Sequence, residues 1–242
     1  IRNTLVQLKG NDRSAFVASM FGRISRRYDL LNTLMTVGMH YIWRRNAAKL
    51  AATHVSGDIL DVASGTGDFA FDLLKHSNVD IVVGLDFSPE MLNVAISKSV
   101  KLGLDGRFIP VIGDAHLLPF SEERFASVTV GFGVRNFSDL PKALADIVRV
   151  TRRGGKVTVL EIVRPRGRLA SVLFLRYFKW MTPKLGRFFA GDYEAYKYLP
   201  ESVQNFMSVT QLSEILEGAG LRNLVVETKG MGSIAIISGE RS

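Results

Sequence analysis

Two apolar runs and the residues that end them constrain this chain more than anything else in it. ILDVA at 59–63 breaks into the turn SGTGD at 64–68, and VDIVVGL at 79–85 ends on Asp86. Glycines directly after a strand let backbone amides approach a ligand closely, and the helix behind them adds its N-terminal dipole. A carboxylate ending the next strand can accept from two ribose hydroxyls at once. The pairing predicts an open α/β sheet with an adenosine-type ligand over its strand ends.

The rest of the chain extends that alternation. Strands are expected at 58–63, 79–85, 107–112, 126–132 and 155–162, with helices between them at 67–76, 88–102 and 138–150. Ser88 and Ser138 are the expected N-caps. Strand–helix alternation of this length predicts a parallel sheet with helices on both faces. Ahead of it, residues 12–54 place Phe16, Met20, Ile24, Tyr28, Leu31, Leu34 and Met35 at helical spacing. The expected division is a helical cap over 1–54 and a sheet domain over 55–242 with a helical insertion at about 165–207. Thr210 is expected to cap a late helix. LVVET at 224–228 and IAIIS at 234–238, separated by Gly230 and Gly232, predict a terminal antiparallel hairpin.

At 242 residues the chain can bury a substantial core. It has no cysteine, so disulfides, thiolate-metal sites and a cysteine nucleophile are excluded. Its four histidines, His40, His54, His76 and His116, lack metal-ligand spacing, and no metal is expected. The net charge of +8 suits an anionic partner, nucleic acid or a membrane face, and equally a generally basic, soluble proteome. A tetrad of the NPPY type, suited to a flipped base, is missing, which argues against nucleic acid. The N-terminus is polar and shows no signal peptide, and no apolar stretch approaches a bilayer span of about 20 residues. The expected setting is the cytoplasm, with membrane association at the inner face.

GTGDFA at 65–70 formally matches the dinucleotide fingerprint G-x-G-x-x-A, a weak signal alone. The acids decide between ligands. Asp61, just before the turn, would repel a pyrophosphate but can pair with the amino group of a cationic methionine moiety. Asp114, in GDAHLLPF at 113–120, ends the third strand, where it and Ala115 can read an adenine edge. Asp61, Asp68, Asp86 and Asp114 form a negative cluster inside a basic chain. That field suits a sulfonium ligand, and S-adenosylmethionine is the expected cofactor, with Gly65, Thr66 and Gly67 as its turn.

Four further segments resemble one family. YDLLNTLMTVGMHYIW at 28–43, VTVGFGVRNFSD at 128–139, RVTRRGGKVTVLE at 149–161 and AYKYLPESVQNF at 195–206 are similar to motifs of the C-methyltransferases of ubiquinone and menaquinone biosynthesis. The resemblance implies a class I, Rossmann-like methyltransferase fold and methyl transfer to a ring carbon of a polyprenylated quinol. It places cofactor contacts on Thr66, Asp86, Asp114, Ala115 and Gly131, and substrate handling on Tyr28, Arg135 and Asn136. Gly131 stands where a serine is more common in that family.

A quinol carbon becomes nucleophilic when an adjacent hydroxyl loses its proton, so the site needs a base or relay and a cation for the oxyanion. Arg135 is assigned the cation, and Tyr28 and Asn136 the orientation of the hydroxyl. His40 and His116 are the other candidate bases, although helix packing suits His40 better. The segment 169–189 interleaves aromatic residues with cations and suits either an interfacial helix on anionic lipid or packing on the sheet or a second subunit. Methyl transfer to oxygen or nitrogen of another small molecule or lipid, and a non-catalytic cofactor-binding subunit of a quinone-synthesis complex, are the rival readings. The lack of an organelle-type presequence favours a prokaryotic enzyme and thus demethylmenaquinol.

Overall fold

The computed structural model describes residues 17, 19–165, 167, 172, 176–177, 180–181, 198 and 201–242. Most of the aromatic and basic segment 169–189, much of 195–200, and Phe16 lie outside the described residues.

The order of elements is α1 (Tyr28–Thr36), α2 (Met39–Ala52), β1 (Gly57–Val62), α3 (Asp68–Leu73), β2 (Val79–Asp86), α4 (Pro89–Lys101), β3 (Phe108–Ile112), β4 (Phe125–Gly131), α5 (Leu140–Val150), β5 (Thr151–Ile162), α6 (Val209–Gly218), β6 (Leu221–Lys229) and β7 (Ile234–Arg241). Helical turns at 19–24 and Ser25–Arg27 lead into α1. Between α1 and α2 the chain turns at Val37 and Gly38, both with positive φ (50° and 74°). Gly38 takes that conformation at no steric cost, whereas the β-branched, solvent-exposed Val37 is strained there.

The seven strands lie in the order β3-β2-β1-β4-β5-β7-β6. The first five are parallel, and β7 runs antiparallel between β5 and β6. The chain winds outward from β1 through β2 and β3, then crosses back to β4. The strand order therefore reverses between β1 and β4, where an open α/β sheet forms its ligand crevice.

Alternation along the strands divides the core into two layers. Leu60, Val62, Val128, Val130, Val157 and Val159 face α5 and α6, packing on Leu144, Ile147, Leu212 and Leu216. Ile59, Val82 and Leu160 face the other way, onto Ala47, Ala48 and Ala51 of α2 and Phe69 and Leu73 of α3. The small alanine face of α2 is what lets that helix lie close against the sheet. Period-two alternation then fixes the side of every polar residue at the strand ends.

Two caps differ from the sequence expectation. Asp139 rather than Ser138 caps α5, its carboxylate accepting from Lys142 N at 3.1 Å. A cap at Ser138 would put Pro141 at the third helical position and remove one of the two N–H groups that a cap can take, whereas Asp139 finds Lys142 N there. Ser208 rather than Thr210 caps α6, because Gln211 returns the bond and closes a capping box. Ser88 caps α4 as expected, accepting from Met91 N.

Candidate active site

The glycine turn between β1 and α3 is held in two ways. Gly65 and Gly67 have φ of 57° and 82°, and a Cβ at Gly67 would stand 2.6 Å from the Phe71 ring. Asp86 closes the turn from β2: its Oδ2 accepts from Gly65 N at 2.7 Å and its Oδ1 from Ser88 N at 2.8 Å. Burial pushes the Asp86 carboxyl up, against the pull of those amides. Ala63 and Phe132, both non-glycine residues with positive φ, flank the turn. Strained backbone of this kind gathers at functional sites.

Over the strand ends lies a cleft of about 800 Å³, counting its open mouth, lined by Asp86, Phe87, Asp114, Ala115, Gly131, Tyr28 and Asn136 among others. Asp114 Oδ1 accepts from His116 N at 2.9 Å and from His116 Nδ1 at 2.5 Å. Burial works to raise the Asp114 carboxyl, but the bonds from His116 outweigh it and hold the group below its usual range. His116 Nε2 accepts from Asp139 N at 3.2 Å, so Nδ1 carries the ring proton and both nitrogens are engaged. His116 thus ties the 113–116 loop to the start of α5 and offers no lone pair for a base. A Cβ at Gly131 would meet the Phe69 ring at 2.6 Å, which explains glycine rather than serine at this position.

A second, inner cavity shares Tyr28, Ala63, Gly65, Gly131 and Phe132 with the cleft. Its own wall brings in Asp61, Ser64, Thr66, Asn32, His40 and Arg44. Asp61 is 1% exposed; its Oδ1 accepts from Thr129 Oγ1 at 2.7 Å, and its Oδ2 has no hydrogen-bond partner among the described residues. Burial pushes this carboxyl up to about 7. Thr66 donates its hydroxyl to Asp29 Oδ1 at 2.6 Å.

Ion pairs clamp the helical cap onto the turn. Lys98 of α4 pairs with Asp29 at 2.9 Å and also with Asp68. Arg44 of α2 bonds Asp68 through Nη1 at 2.9 Å and Asp72 through Nε at 2.5 Å.

The three residues expected to handle substrate separate. Tyr28 and Asn136 line the cleft, and Tyr28 reaches the inner cavity as well. Burial pushes the Tyr28 phenol up, with Asn32 and the Arg135 charge pulling it back. Asn136 Oδ1 accepts from Tyr198 OH at 2.8 Å. Arg135 does not line the cleft. It faces a neighbouring pocket with Phe206 and Asn205, and its Nη1 bonds Glu161 Oε1 and, at 2.8 Å, Phe132 O. Glu161 is fully buried and also accepts from Arg135 N and Ile162 N. Burial works against the Arg135 charge, but Glu161, Tyr28 and Tyr198 together offset it and raise its pKa.

The sequence reading missed Glu161, Thr129, Lys98 and Arg44. Glu161 did carry a signal, an acid closing the otherwise apolar run VTVLEI at 157–162.

The sequence matches the ubiE/COQ5 methyltransferase family over residues 7–241, nearly the whole chain. The chain belongs to the ubiE/COQ5 methyltransferase family. Within it, the demethylmenaquinone methyltransferase of Thermus thermophilus is 40% identical over 222 residues, covering 92% of this chain and all of that protein. The ubiquinone/menaquinone biosynthesis C-methyltransferase UbiE of Geobacter sulfurreducens is 35% identical, covering 93% of this chain and 88% of its own. Among solved structures, an S-adenosylmethionine-dependent methyltransferase of Thermotoga maritima, a possible histamine N-methyltransferase, superposes with a TM-score of 0.65 at 18% identity. That match covers 93% of this chain and 99% of the other, and it establishes the class I methyltransferase fold.

A ubiE/COQ5 methyltransferase works with S-adenosylmethionine, and the residues present fit that group. The orphaned acceptor of Asp61 suits an ammonium, Asp86 stands at the end of β2 facing the cleft, and the glycine turn leaves open space beside Gly65. No group of histidine and acid side chains that could hold a metal occurs among the described residues.

Proposed function

We propose that the protein transfers the methyl group of S-adenosylmethionine to a ring carbon of demethylmenaquinol, giving menaquinol. The observation that carries this reading is the shared cleft: Tyr28 and Asn136, from segments similar to quinol-methylating enzymes, line the same space as Asp86, Asp114 and Ala115. The names of the relatives supply the naphthoquinol.

When bound, the cofactor supplies a sulfonium methyl that is already strongly electrophilic. The chain must hold it, align a nucleophilic carbon and handle one proton. In this reading Asp86 takes the ribose hydroxyls, Asp114 and Ala115 the adenine edge, and Asp61 the amino group. Gly65, Thr66, Gly67 and Gly131 leave room through their backbone. Asn136 and Tyr28 orient the substrate hydroxyl, and Tyr28 relays the proton it loses. Arg135 sits outside the cleft, paired to Glu161, and its part is to hold the strand-end segment that carries Asn136.

The substrate's polyprenyl tail belongs in lipid, and one surface supports contact with it. Leu30, Val37, Met39 and Ile42, around the α1–α2 turn, are all more than two-fifths exposed, as is Trp180. No described helix is long and apolar enough to cross a membrane. We therefore assign this rim, with exposed Arg26, Arg27 and Arg45 near it in the chain, to peripheral contact with an anionic leaflet.

The test is transfer of labelled methyl to reduced demethylmenaquinone, with the oxidised quinone as control. Label is expected on the ring carbon of the reduced form alone, and Tyr28→Phe is expected to slow it by about 10²-fold or more with cofactor affinity retained. Label on oxygen, or equal activity on oxidised quinone, contradicts the proposal.

A further inference from the structure

Thr36 and His40 lie one helical turn apart across the α1–α2 turn. The Thr36 hydroxyl has a single proton, and it points back to Asn32 O at 2.7 Å, the local back-bond common for threonine in helices. Thr36 Oγ1 can therefore only accept at its 2.8 Å contact with His40 Nδ1. Nδ1 carries the ring proton, and Nε2 is left as a bare lone pair. The His40 side chain is buried, at 3% exposed, and Nε2 has no partner among the described residues. Burial and the Arg44 cation both hold the imidazole neutral by lowering its pKa.

The cavity His40 lines explains an otherwise costly arrangement. His40, Asp61 and Ser64 line the same inner cavity, and each has a buried polar atom, Nε2, Oδ2 and Oγ, that makes no close hydrogen bond among the described residues. Two are acceptors and the third is a hydroxyl. Asp29 and Asp68 on its wall are paired to Lys98, and Arg44 has its Nε and Nη1 committed to Asp72 and Asp68, so the cations around the cavity already face carboxylates. A carboxylate would meet lone pairs here. A primary ammonium brings three N–H donors and a positive charge, which matches this set of atoms.

We infer that His40 is a cofactor-binding residue, its Nε2 accepting a hydrogen bond from the α-ammonium group for which Asp61 supplies the counter-charge. The inference rests on the cofactor reading above and adds a second, neutral acceptor from the helical cap. It makes the cap part of the cofactor site: the amino-acid end of the ligand bonds to both the sheet and α2. A hydrophobic residue at position 40 would pack in the same space and lose that discrimination.

The experiment is calorimetric titration of wild type and His40→Leu with three ligands. These are S-adenosylhomocysteine, its deaminated analogue with the carboxylate intact, and methylthioadenosine, which lacks the amino-acid end. His40→Leu is expected to weaken S-adenosylhomocysteine by about 10- to 100-fold and to leave the other two within about twofold. Unchanged affinity for S-adenosylhomocysteine, or equal loss for all three ligands, overturns the inference and leaves His40 a packing residue. A wild type that binds S-adenosylhomocysteine no better than methylthioadenosine instead removes the cofactor reading of the cavity. If the leucine variant does not fold, the ¹⁵N resonance of His40 Nε2 in wild type decides. It should move with S-adenosylhomocysteine and stay with methylthioadenosine; no movement with either overturns the inference.

Discussion

Asp61 and Glu161 are two buried carboxylates at the ends of parallel strands, and the sheet treats them oppositely. Asp61 shares the face of β1 that looks toward α2, because Leu60 and Val62 on either side point into the α5 layer. Glu161 sits between Leu160 and Ile162, which face α2, and so points the other way. Glu161 has a guanidinium and two backbone amides around it. Asp61 has hydroxyls alone, a close bond from Thr129 on one oxygen and Ser64 beside it. A carboxylate whose partners are all built in serves the fold, whereas one left half-satisfied is kept for a ligand.

The largest effect expected from that contrast is at Glu161. Glu161→Gln leaves the Arg135 charge buried without its counter-ion and should cost about 3–5 kcal/mol in denaturant unfolding. The double change Arg135→Met with Glu161→Leu should recover most of it. If the single change is nearly neutral, the pair is not the internal prop described here.

Asp61→Asn should act in the opposite direction on the empty protein. Because the folded carboxyl holds its proton up to about 7, well above the usual carboxylate range, the native state binds an extra proton between that range and about 7. Stability is therefore lost as pH rises through that window. Asparagine removes that slope while keeping an acceptor for Thr129. The variant should melt above wild type at pH 8, by up to about 4 kcal/mol, and match it near pH 4. A variant less stable at pH 8 would mean that Asp61 is already compensated.

The smallest effect belongs to the clamp. Asp29 and Lys98 are partly exposed, at 36% and 24%, so Asp29→Asn should change stability by no more than about 1 kcal/mol. Thermal melting at low and high salt checks this, and salt should narrow the difference.

Much of this arrangement is legible in the chain itself. The glycine turn, the acids at 61, 86 and 114 and the closing hairpin are local patterns, and each falls where its period and turn residues put it. The half-satisfied state of Asp61 is different. It depends on Thr129, 68 residues away, and on a strand order that no local pattern encodes. The same holds for Arg135: RNF after a strand marks a strand-end residue, but only the neighbouring β5 shows Glu161 drawing its guanidinium away from the cleft. Thr66 likewise reads as a turn residue with a free hydroxyl until Asp29 of α1 arrives to take it. Cap positions failed for a nearer reason, since Pro141 and Gln211 each shift the favoured start of a helix.

The most direct measurement is the number of protons released when S-adenosylhomocysteine binds at pH 7, obtained by calorimetry in buffers of different ionisation enthalpy. With its carboxyl raised to about 7 in the empty protein, Asp61 is partly protonated and must give that proton up to face an ammonium. Wild type should release a measurable fraction of a proton per ligand at that pH, and Asp61→Asn clearly less, with weaker binding. Binding without proton release in wild type, or equal release in the variant, would contradict the account.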